Sequence, residues 1–369
     1  MKILVTGARG FIGKNLICEL KNRGYDSIYE VDLDTTDSEL SDYCSDCEFV
    51  FHLAGVNRPQ NDEEFMKGNF GFTSVLLDKL KAAANKAPVL ITSSTQAELD
   101  NLYGKSKKAG EDLLFTYGQE NGVKVFVYRL TNVFGKWSRP NYNSAVATFC
   151  NNIAAGLPIK VNDPSVVMKL VYIDDVVNEF IAAMKGNANI VNGFGTVPVE
   201  HVIELGRIAD LIYSFKESRK TLALPDFSNE FEKKLYSTYL SFLPKDEFSY
   251  KLDAKCDERG SFTEIIRTND RGQVSVNIAK PGITKGNHWH HTKNEKFLVV
   301  KGKAIISFRK VGEEEIIEYP VSGEDMTVVD IPCGYTHNIK NVGDEDLITV
   351  MWVNEPFDEK NPDTYYEKV

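Results

Sequence analysis

The chain lacks any apolar run approaching the roughly 20 residues that cross a bilayer, so no membrane span is read in it. Cysteine is scarce, with six in 369 residues. They are scattered, which excludes a disulfide-stapled scaffold and implies reduced thiols in a cytoplasmic setting. Cys44 and Cys47 form a lone CxxC with no second pair, so neither a zinc cluster nor a redox motif is read there. Positive charge is not in excess either. A formal net charge of −10 argues against nucleic acid or an anionic membrane as the main partner. An anionic small ligand stays open, because local loops bind phosphate whatever the net charge. The opening MKILVTGARGFIG leaves its apolar run after a few residues and enters a glycine loop, so no export signal is read. Repeats and low-complexity tracts are missing. What remains is an ordinary globular composition, 42% hydrophobic and 26% charged, on a chain long enough for two domains.

Histidine is rare too, and its distribution is uneven. Of the six histidines, four fall in the last quarter: His288, His290 and His291, followed by His337. The stretch GITKGNHWHHTKNEKFLVVKG places Glu295 shortly after the first three. Side chains alternate along a strand, so His288 and His290 share a face, and Trp289 points to the other side, toward core. Two imidazoles and a carboxylate, with His337 from a later strand, have the donor chemistry of a divalent-metal shell. Zinc suits that set best; iron, nickel or manganese accept the same ligands.

The first part of the chain alternates strand and helix patterns. Lys2 to Thr6 reads as a strand, followed by Gly7-Ala-Arg9-Gly10-Phe11-Ile12-Gly13 and a helix from Lys14 to Leu20. Strand, glycine turn and helix form the setting of a dinucleotide-binding loop, with the pyrophosphate at a helix N-terminus. Ser27 to Asp32 reads as the second strand. Asp32 lies about 20 residues beyond the loop, where an acid meets the adenosine ribose. Arg9 is placed to pair with a 2′-phosphate, which favours NADPH, whereas Asp32 opposes it. The path from Asp32 to Phe49 leaves little room for a full helix. Further strands are read at 48–52, 87–92 and 123–129, with helices near 63–83 and 106–121, so the sheet is parallel with helices on both faces.

His52-Leu53-Ala54-Gly55 ends one strand and Ser93-Ser94-Thr95 the next, and ligands bind at such carboxyl ends. Tyr103-Gly-Lys-Ser-Lys107 then opens a helix, where the i, i+4 spacing sets Lys107 beside Tyr103. A phenol of pKa about 10 becomes a better proton-transfer group when an ammonium favours its ionised form. The set GARGFIG, HLAG, TSS, YGKSK, YRLTNVFG and VYIDDV, in this order, resembles the extended short-chain dehydrogenase/reductases that act on nucleotide sugars. That resemblance covers roughly residues 1 to 240. It implies that Ser94, with Thr95 close by, bonds the substrate oxygen. It implies further that Tyr103 donates the proton and that Lys107 tunes it and holds the nicotinamide ribose. Gly7, Arg9, Gly10, Phe11, Ile12, Gly13, Asp32, Leu53, Ala54 and Gly55 would hold the cofactor. Asn132 would lie at the sugar-nucleotide site, and Arg139 is a candidate for the diphosphate.

A helical pattern runs from Val199 to about Leu243, broken at Pro225, and a domain boundary is placed near residue 245. Domains are therefore expected at 1–245 and 246–369. Short strands dominate the second: 262–267, 274–279, 296–300, 304–309, 316–320, 326–331, 339–342 and 347–353, a jelly-roll pattern. Gly282, His288, His290, Glu295 and Gly302, then Pro332, Gly334, His337 and Asn341, resemble the two halves of the cupin motif. That resemblance implies a metal held by His288, His290, Glu295 and His337. Asp257 to Glu264 and Gly286-Asn-His288 also resemble the deoxysugar-nucleotide 3,5-epimerases, where a histidine in the place of His288 is the base. Two roles for His288 thus stay open, ligand and proton abstractor. The expected fold is a doubly wound Rossmann-type α/β sheet followed by an all-β cupin barrel.

Reductase first and cupin last, the whole chain resembles bifunctional enzymes of capsular polysaccharide synthesis. The resemblance implies a UDP-linked 2-acetamido-2,6-dideoxy-4-hexulose, epimerised at C3 and then reduced at C4 with NADPH. The product would be UDP-2-acetamido-2,6-dideoxy-L-talose, on the route to N-acetyl-L-fucosamine. Both parent families commonly associate, so a homodimer is expected.

Overall fold

A computed structural model describes the chain except at residues 60, 253, 258–259, 264–265, 267–271 and 356–359. Two compact units emerge. The first holds Met1–Phe134, Tyr142–Ser144 and Met168–Ile203; the second holds Gly135–Asn141, Ala145–Val167 and Glu204–Val369. Residues 246–369 thus lie wholly in the second unit, together with helices drawn from earlier in the chain.

The first unit is built on strands β1 (Ile3–Thr6), β2 (Ile28–Val31), β3 (Phe49–His52), β4 (Val89–Ser94) and β5 (Val125–Leu130), parallel and ordered β2-β1-β3-β4-β5. All four residues of β1 and of β3 are buried, without polar alternation, as strands covered on both faces require. Leu4, Val50, Val89 and Val127 pack with Leu76, Leu80 and Leu114 from neighbouring helices. Thr6 stands in register with Val31 and with His52, so three strand ends come level beneath the loops that follow them.

Helix α1 (Phe11–Asn22) follows the glycine loop, and α2 (Asp37–Asp46) fills the interval where little room for a helix was expected. A capping box makes the short helix possible. Thr36 Oγ1 accepts from the Glu39 N–H at 3.3 Å, and a Glu39 oxygen accepts from the Thr36 N–H at 2.8 Å. Cys44 and Cys47 lie in the core, and burial pushes their thiols up to about 11 and about 12, as inert thiols behave. The helix opening at Tyr103 in fact begins at Leu102, because the Asn101 side chain accepts from the Gly104 N–H at 2.7 Å. Residues His201–Glu204 form a strand where the helical pattern was expected to start; the β-branched pair Val202-Ile203 fits it, and the helix begins at Leu205.

In the second unit, helices Ala145–Ala154, Leu205–Thr221 and Glu230–Leu240 pack through aromatic side chains. Phe215 lies 5.1 Å from Tyr236 and 6.0 Å from Tyr239, centroid to centroid. Two five-stranded sheets follow, antiparallel and cupin-like. One contains Ser249–Lys251, Thr327–Ile331, Glu295–Lys301, Leu347–Val353 and Gln273–Ala279. The other contains Ile316–Ser322, Lys303–Lys310, Tyr335–Asn341, Thr284–Trp289 and Tyr365–Tyr366. Most expected strands lie within these. The strand read at 262–267 overlaps Gly260–Thr263, and part of it lies outside the described residues, as does part of the Asp257 to Glu264 stretch.

Candidate active site and metal centre

In the first unit, the glycine loop turns tightly against the end of β3. A Cβ at Gly13 would stand 2.2 Å from the Gly7 carbonyl oxygen, so only glycine lets α1 start this close to the loop. Gly10 is the N-cap of α1, whose free N–H groups and dipole favour an anion. The Asp32 carboxylate accepts from the Arg9 N–H at 2.8 Å and from the Leu33 N–H at 2.9 Å. The Arg9 guanidinium, exposed, pairs with Asp34 at 2.7 Å, a partner the sequence reading did not name. Leu53, Ala54 and Gly55 leave β3, with the Ala54 N–H donating to Thr6 Oγ1 at 3.2 Å.

Ser94, Tyr103 and Lys107 come together at the end of β4. The Ser94 hydroxyl lies beside the Tyr103 side chain, while Thr95 is exposed. Lys107 is buried, and its Nζ donates to the Thr92 carbonyl at 3.1 Å and lies 6.0 Å from the Tyr103 ring centroid. Desolvation pushes its ammonium down to about 8, with Glu111 opposing. The Tyr103 phenol differs from expectation. Burial raises its pKa, the neighbouring Ser94 hydroxyl works the other way, and the net direction is up. Asn69 is a further residue of this site that carried no recognisable pattern. It sits in a π-helical turn at Met66–Gly71 and donates to the Val56 carbonyl at 3.0 Å and to Ser106 Oγ at 2.9 Å. It thereby ties the loop after β3 to the helix of Tyr103. Asn132 is exposed, its amide donating to the Lys169 carbonyl at 3.1 Å. Arg139 is exposed and belongs to the second unit.

In the second unit, Thr284–Trp289 pairs with Tyr335–Asn341 so that His288 stands directly opposite His337. A bulge between Gly286 and His288 aims the histidines. Gly286 has φ +104°, and a Cβ there would lie 2.9 Å from the His337 carbonyl oxygen. His290 follows the strand, and Glu295 opens the next one. One donor atom from each of His288, His290, Glu295 and His337 lies within 4.8 Å of all the others. Glu295 Oε2 is 3.1 Å from His337 Nε2 and 3.5 Å from His290 Nε2. All three atoms are buried and make no hydrogen bond of acceptable geometry. Converging orphan donors of this kind fit a divalent cation.

Burial and the neighbouring imidazoles push His288 down to about 3. Burial lowers His337 as well, whereas at His290 the same desolvation is outweighed by the Glu295 carboxylate, and the net direction is up. Glu295 is desolvated too, but the two imidazoles hold its carboxyl well below the usual carboxylate range. His291 lies outside the cluster, its ring 4.7 Å from Trp289 and 5.0 Å from Tyr365. Asp363, absent from the sequence reading, reaches this site from far along the chain and accepts from His290 Nδ1 at 2.5 Å.

Residues 3–194 match the NAD dependent epimerase/dehydratase family. The chain belongs to that family. Residues 255–365 match a second, the polysaccharide biosynthesis C-terminal domain. Among relatives with both ends in common, a UDP-2-acetamido-2,6-beta-L-arabino-hexul-4-ose reductase of Pseudomonas aeruginosa is 46% identical over 365 residues, 99% of this chain and 98% of that protein. The crystal structure of capsular polysaccharide assembling protein CapF from Staphylococcus aureus aligns over 100% of both chains, with 53% identity and a TM-score of 0.69. The expected resemblance to capsular polysaccharide enzymes is therefore borne out. A Bacillus cereus UDP-glucuronic acid 4-epimerase solved with UDP-glucuronic acid and NAD covers 58% of this chain and 83% of its own. At 20% identity and a TM-score of 0.51 it shows the epimerase/dehydratase fold alone. Among the described residues, no helix is long and apolar enough to cross a membrane.

Proposed function

We propose that this chain is a bifunctional nucleotide-sugar enzyme of capsular polysaccharide biosynthesis. Its cupin domain, 246–369, epimerises C3 of a UDP-2-acetamido-2,6-dideoxy-4-hexulose. Its reductase domain, 1–245, then reduces the C4 ketone with NADPH to UDP-2-acetamido-2,6-dideoxy-L-talose. The observation that carries this reading is one chain holding both a Ser94/Tyr103/Lys107 group at the strand ends and a buried three-histidine, one-glutamate cluster. The names of the full-length relatives, a hexulose reductase and a capsular polysaccharide protein, agree with it.

Chemistry fixes the order. A C–H beside a ketone is acidic because its anion is an enolate, and reduction of the ketone removes that acidity. Epimerisation therefore precedes reduction. A divalent ion, zinc by the donor set, would be held by His290, Glu295 and His337 with His288 as the fourth group; when bound, it supplies Lewis-acid stabilisation of the enolate oxygen. His288 is neutral at working pH and only half-buried, so it has a lone pair to offer either to that ion or to the C3 proton. Zinc loss in His288→Asn assigns the first role; zinc retention with loss of C3 exchange assigns the second.

In the first unit, reduced nicotinamide supplies the hydride when bound. Tyr103 donates a proton to the C4 oxygen, Ser94 orients that oxygen, and Lys107 holds the ribose. Asn132 is assigned to the sugar nucleotide, and Arg139, a residue of the second unit, is kept as a candidate for the diphosphate. Arg9 supports NADPH, since an exposed guanidinium paired with Asp34 at the surface can exchange that partner for a 2′-phosphate. The enzyme is assigned to the cytoplasm, as a homodimer.

The Pseudomonas aeruginosa relative is named as a reductase, which favours a second reading in which the cupin serves only structure or regulation. Mass spectrometry of the 4-keto sugar in deuterated water separates the two. Deuterium uptake at C3 without NADPH supports the bifunctional reading, and its absence leaves the reductase alone.

A further inference from the structure

Asp363 lies between Pro362 and the two-residue strand Tyr365–Tyr366, which pairs with the histidine strand at His288 and Trp289. Two ends of the same residue grip the metal centre. Its carbonyl accepts from His290 Nδ1 at 2.5 Å. A carbonyl oxygen has no proton to give, so Nδ1 carries the hydrogen, and in the neutral imidazole the lone pair is left on Nε2, the atom that faces Glu295 at 3.5 Å. Meanwhile its carboxylate accepts from the backbone N–H groups of His291, Thr292 and Lys293 at 2.8, 2.9 and 2.7 Å. Thr292 Oγ1 adds a fourth contact at 3.2 Å. These residues form the turn that joins His290 to Glu295. Lys293 Nζ also donates to the Pro362 carbonyl at 2.8 Å, so the two segments hold each other from both sides.

The backbone of Asp363 is left-handed, with φ +35°, a region that costs a residue with a Cβ and that Asp and Asn tolerate better than most. That twist turns the carbonyl toward His290 while the side chain reaches the turn.

We infer that Asp363 is the positioning residue of the metal centre: it fixes the tautomer and angle of His290 and sets the spacing from His290 to Glu295. The inference rests on the reading of the four-residue cluster as a metal site. Partners of this kind, standing behind a ligand, typically change metal affinity by about 10- to 100-fold when removed.

The test uses the full chain stripped with a chelator and titrated with zinc alone against a chromophoric competitor. Asp363→Ala is expected to bind a single zinc about 10- to 100-fold more weakly than the parent. Asp363→Asn, which tolerates the same backbone and keeps one acceptor oxygen, falls between the two. Alanine keeps the carbonyl but loses the carboxylate anchor and disfavours the left-handed backbone that aims it. In 15N-histidine spectra of the metal-free chain, taken at a pH where His290 is neutral, its signal is therefore expected as Nδ1-protonated in the parent and as a tautomer mixture in Asp363→Ala. A purely structural contact would lower thermal stability without moving that signal. Zinc affinity and a His290 signal unchanged in Asp363→Ala overturn the inference while leaving the metal site standing. If Asp363→Ala does not fold, parent-like zinc affinity in Asp363→Asn overturns it equally. A parent that takes up no zinc overturns the metal reading itself, and the positioning role with it.

Discussion

His337 Nε2 faces Glu295 Oε2 across 3.1 Å, both atoms buried and neither completing a hydrogen bond. Burying a carboxylate costs several kcal/mol unless it is paired and bonded, and leaving a buried polar atom unmatched adds about 1–3 kcal/mol. Two further imidazoles crowd the same small volume. The arrangement disfavours the protein on its own and favours a cation that every one of these atoms can bind.

Removing the charge should therefore release the ion while leaving the shape. In Glu295→Gln, elemental analysis of protein purified without added metal is expected to show zinc falling well below the parent's content. Deuterium exchange at C3 is expected to disappear. Reduction of a pre-epimerised 4-keto substrate by NADPH should persist near the parent rate, because Ser94, Tyr103 and Lys107 lie in the other unit. Zinc content and C3 exchange both unchanged would remove the cluster from the chemistry.

His52 gives a stability prediction with a definite sign. It is fully buried at the end of β3, with Nδ1 2.7 Å from Thr6 Oγ1 and Nε2 2.8 Å from Thr73 Oγ1. Desolvation, with the Lys107 charge, pushes it down from 6.5 to about 3. Between those two pH values the unfolded chain binds the proton and the folded chain does not. Stability from this residue is thus complete above pH 6.5 and is lost as pH falls, by about 1.4 kcal/mol per pH unit. His52→Asn is expected to be less stable than the parent at pH 7. The gap should narrow by about 2 kcal/mol at pH 5 in urea unfolding of the first unit. A gap independent of pH would mean that His52 is not held neutral.

Most of the fold could be read before any coordinates, because its signals are local. The mostly apolar β1 and β3, the glycine loop, and the His288/His290 alternation each lie within a few residues. The cluster was legible for a related reason: histidine is so rare here that four in the last quarter stand out. What escaped depends on contacts distant in sequence or on small side-chain competitions. Asp363 reaches His290 across 73 residues from a polar turn with no periodicity of its own. Helix α2 starts at a capping box of Thr36 and Glu39 and buries only Leu40 and Cys44 of its ten residues, too narrow a stripe to stand out in sequence. The rise in the Tyr103 pKa follows from burial, which i, i+4 spacing does not reveal. Asp34, two residues past Asp32, was passed over because exposed acids are common and only the fold brings it to Arg9.

In the proposed mechanism, reduction turns on Tyr103 and Lys107. Loss of the phenolic proton donor in Tyr103→Phe is expected to lower turnover by about 10²- to 10⁴-fold. NADPH binding, followed by fluorescence quenching, should be retained, since Lys107 and the glycine loop are untouched. Lys107 predicts the shape of the pH profile. Its ammonium is pushed down to about 8, so it is charged below that pH and neutral above it. In the proposed mechanism that charge holds the ribose and steadies the phenolate left after proton transfer. Accordingly, kcat/KM for NADPH, which reports the free enzyme, should fall as pH rises through about 8. Lys107→Met should be slower throughout and lose that alkaline limb. Turnover surviving in Tyr103→Phe would move the proton donor elsewhere. An alkaline limb that persists in Lys107→Met would assign it to another group.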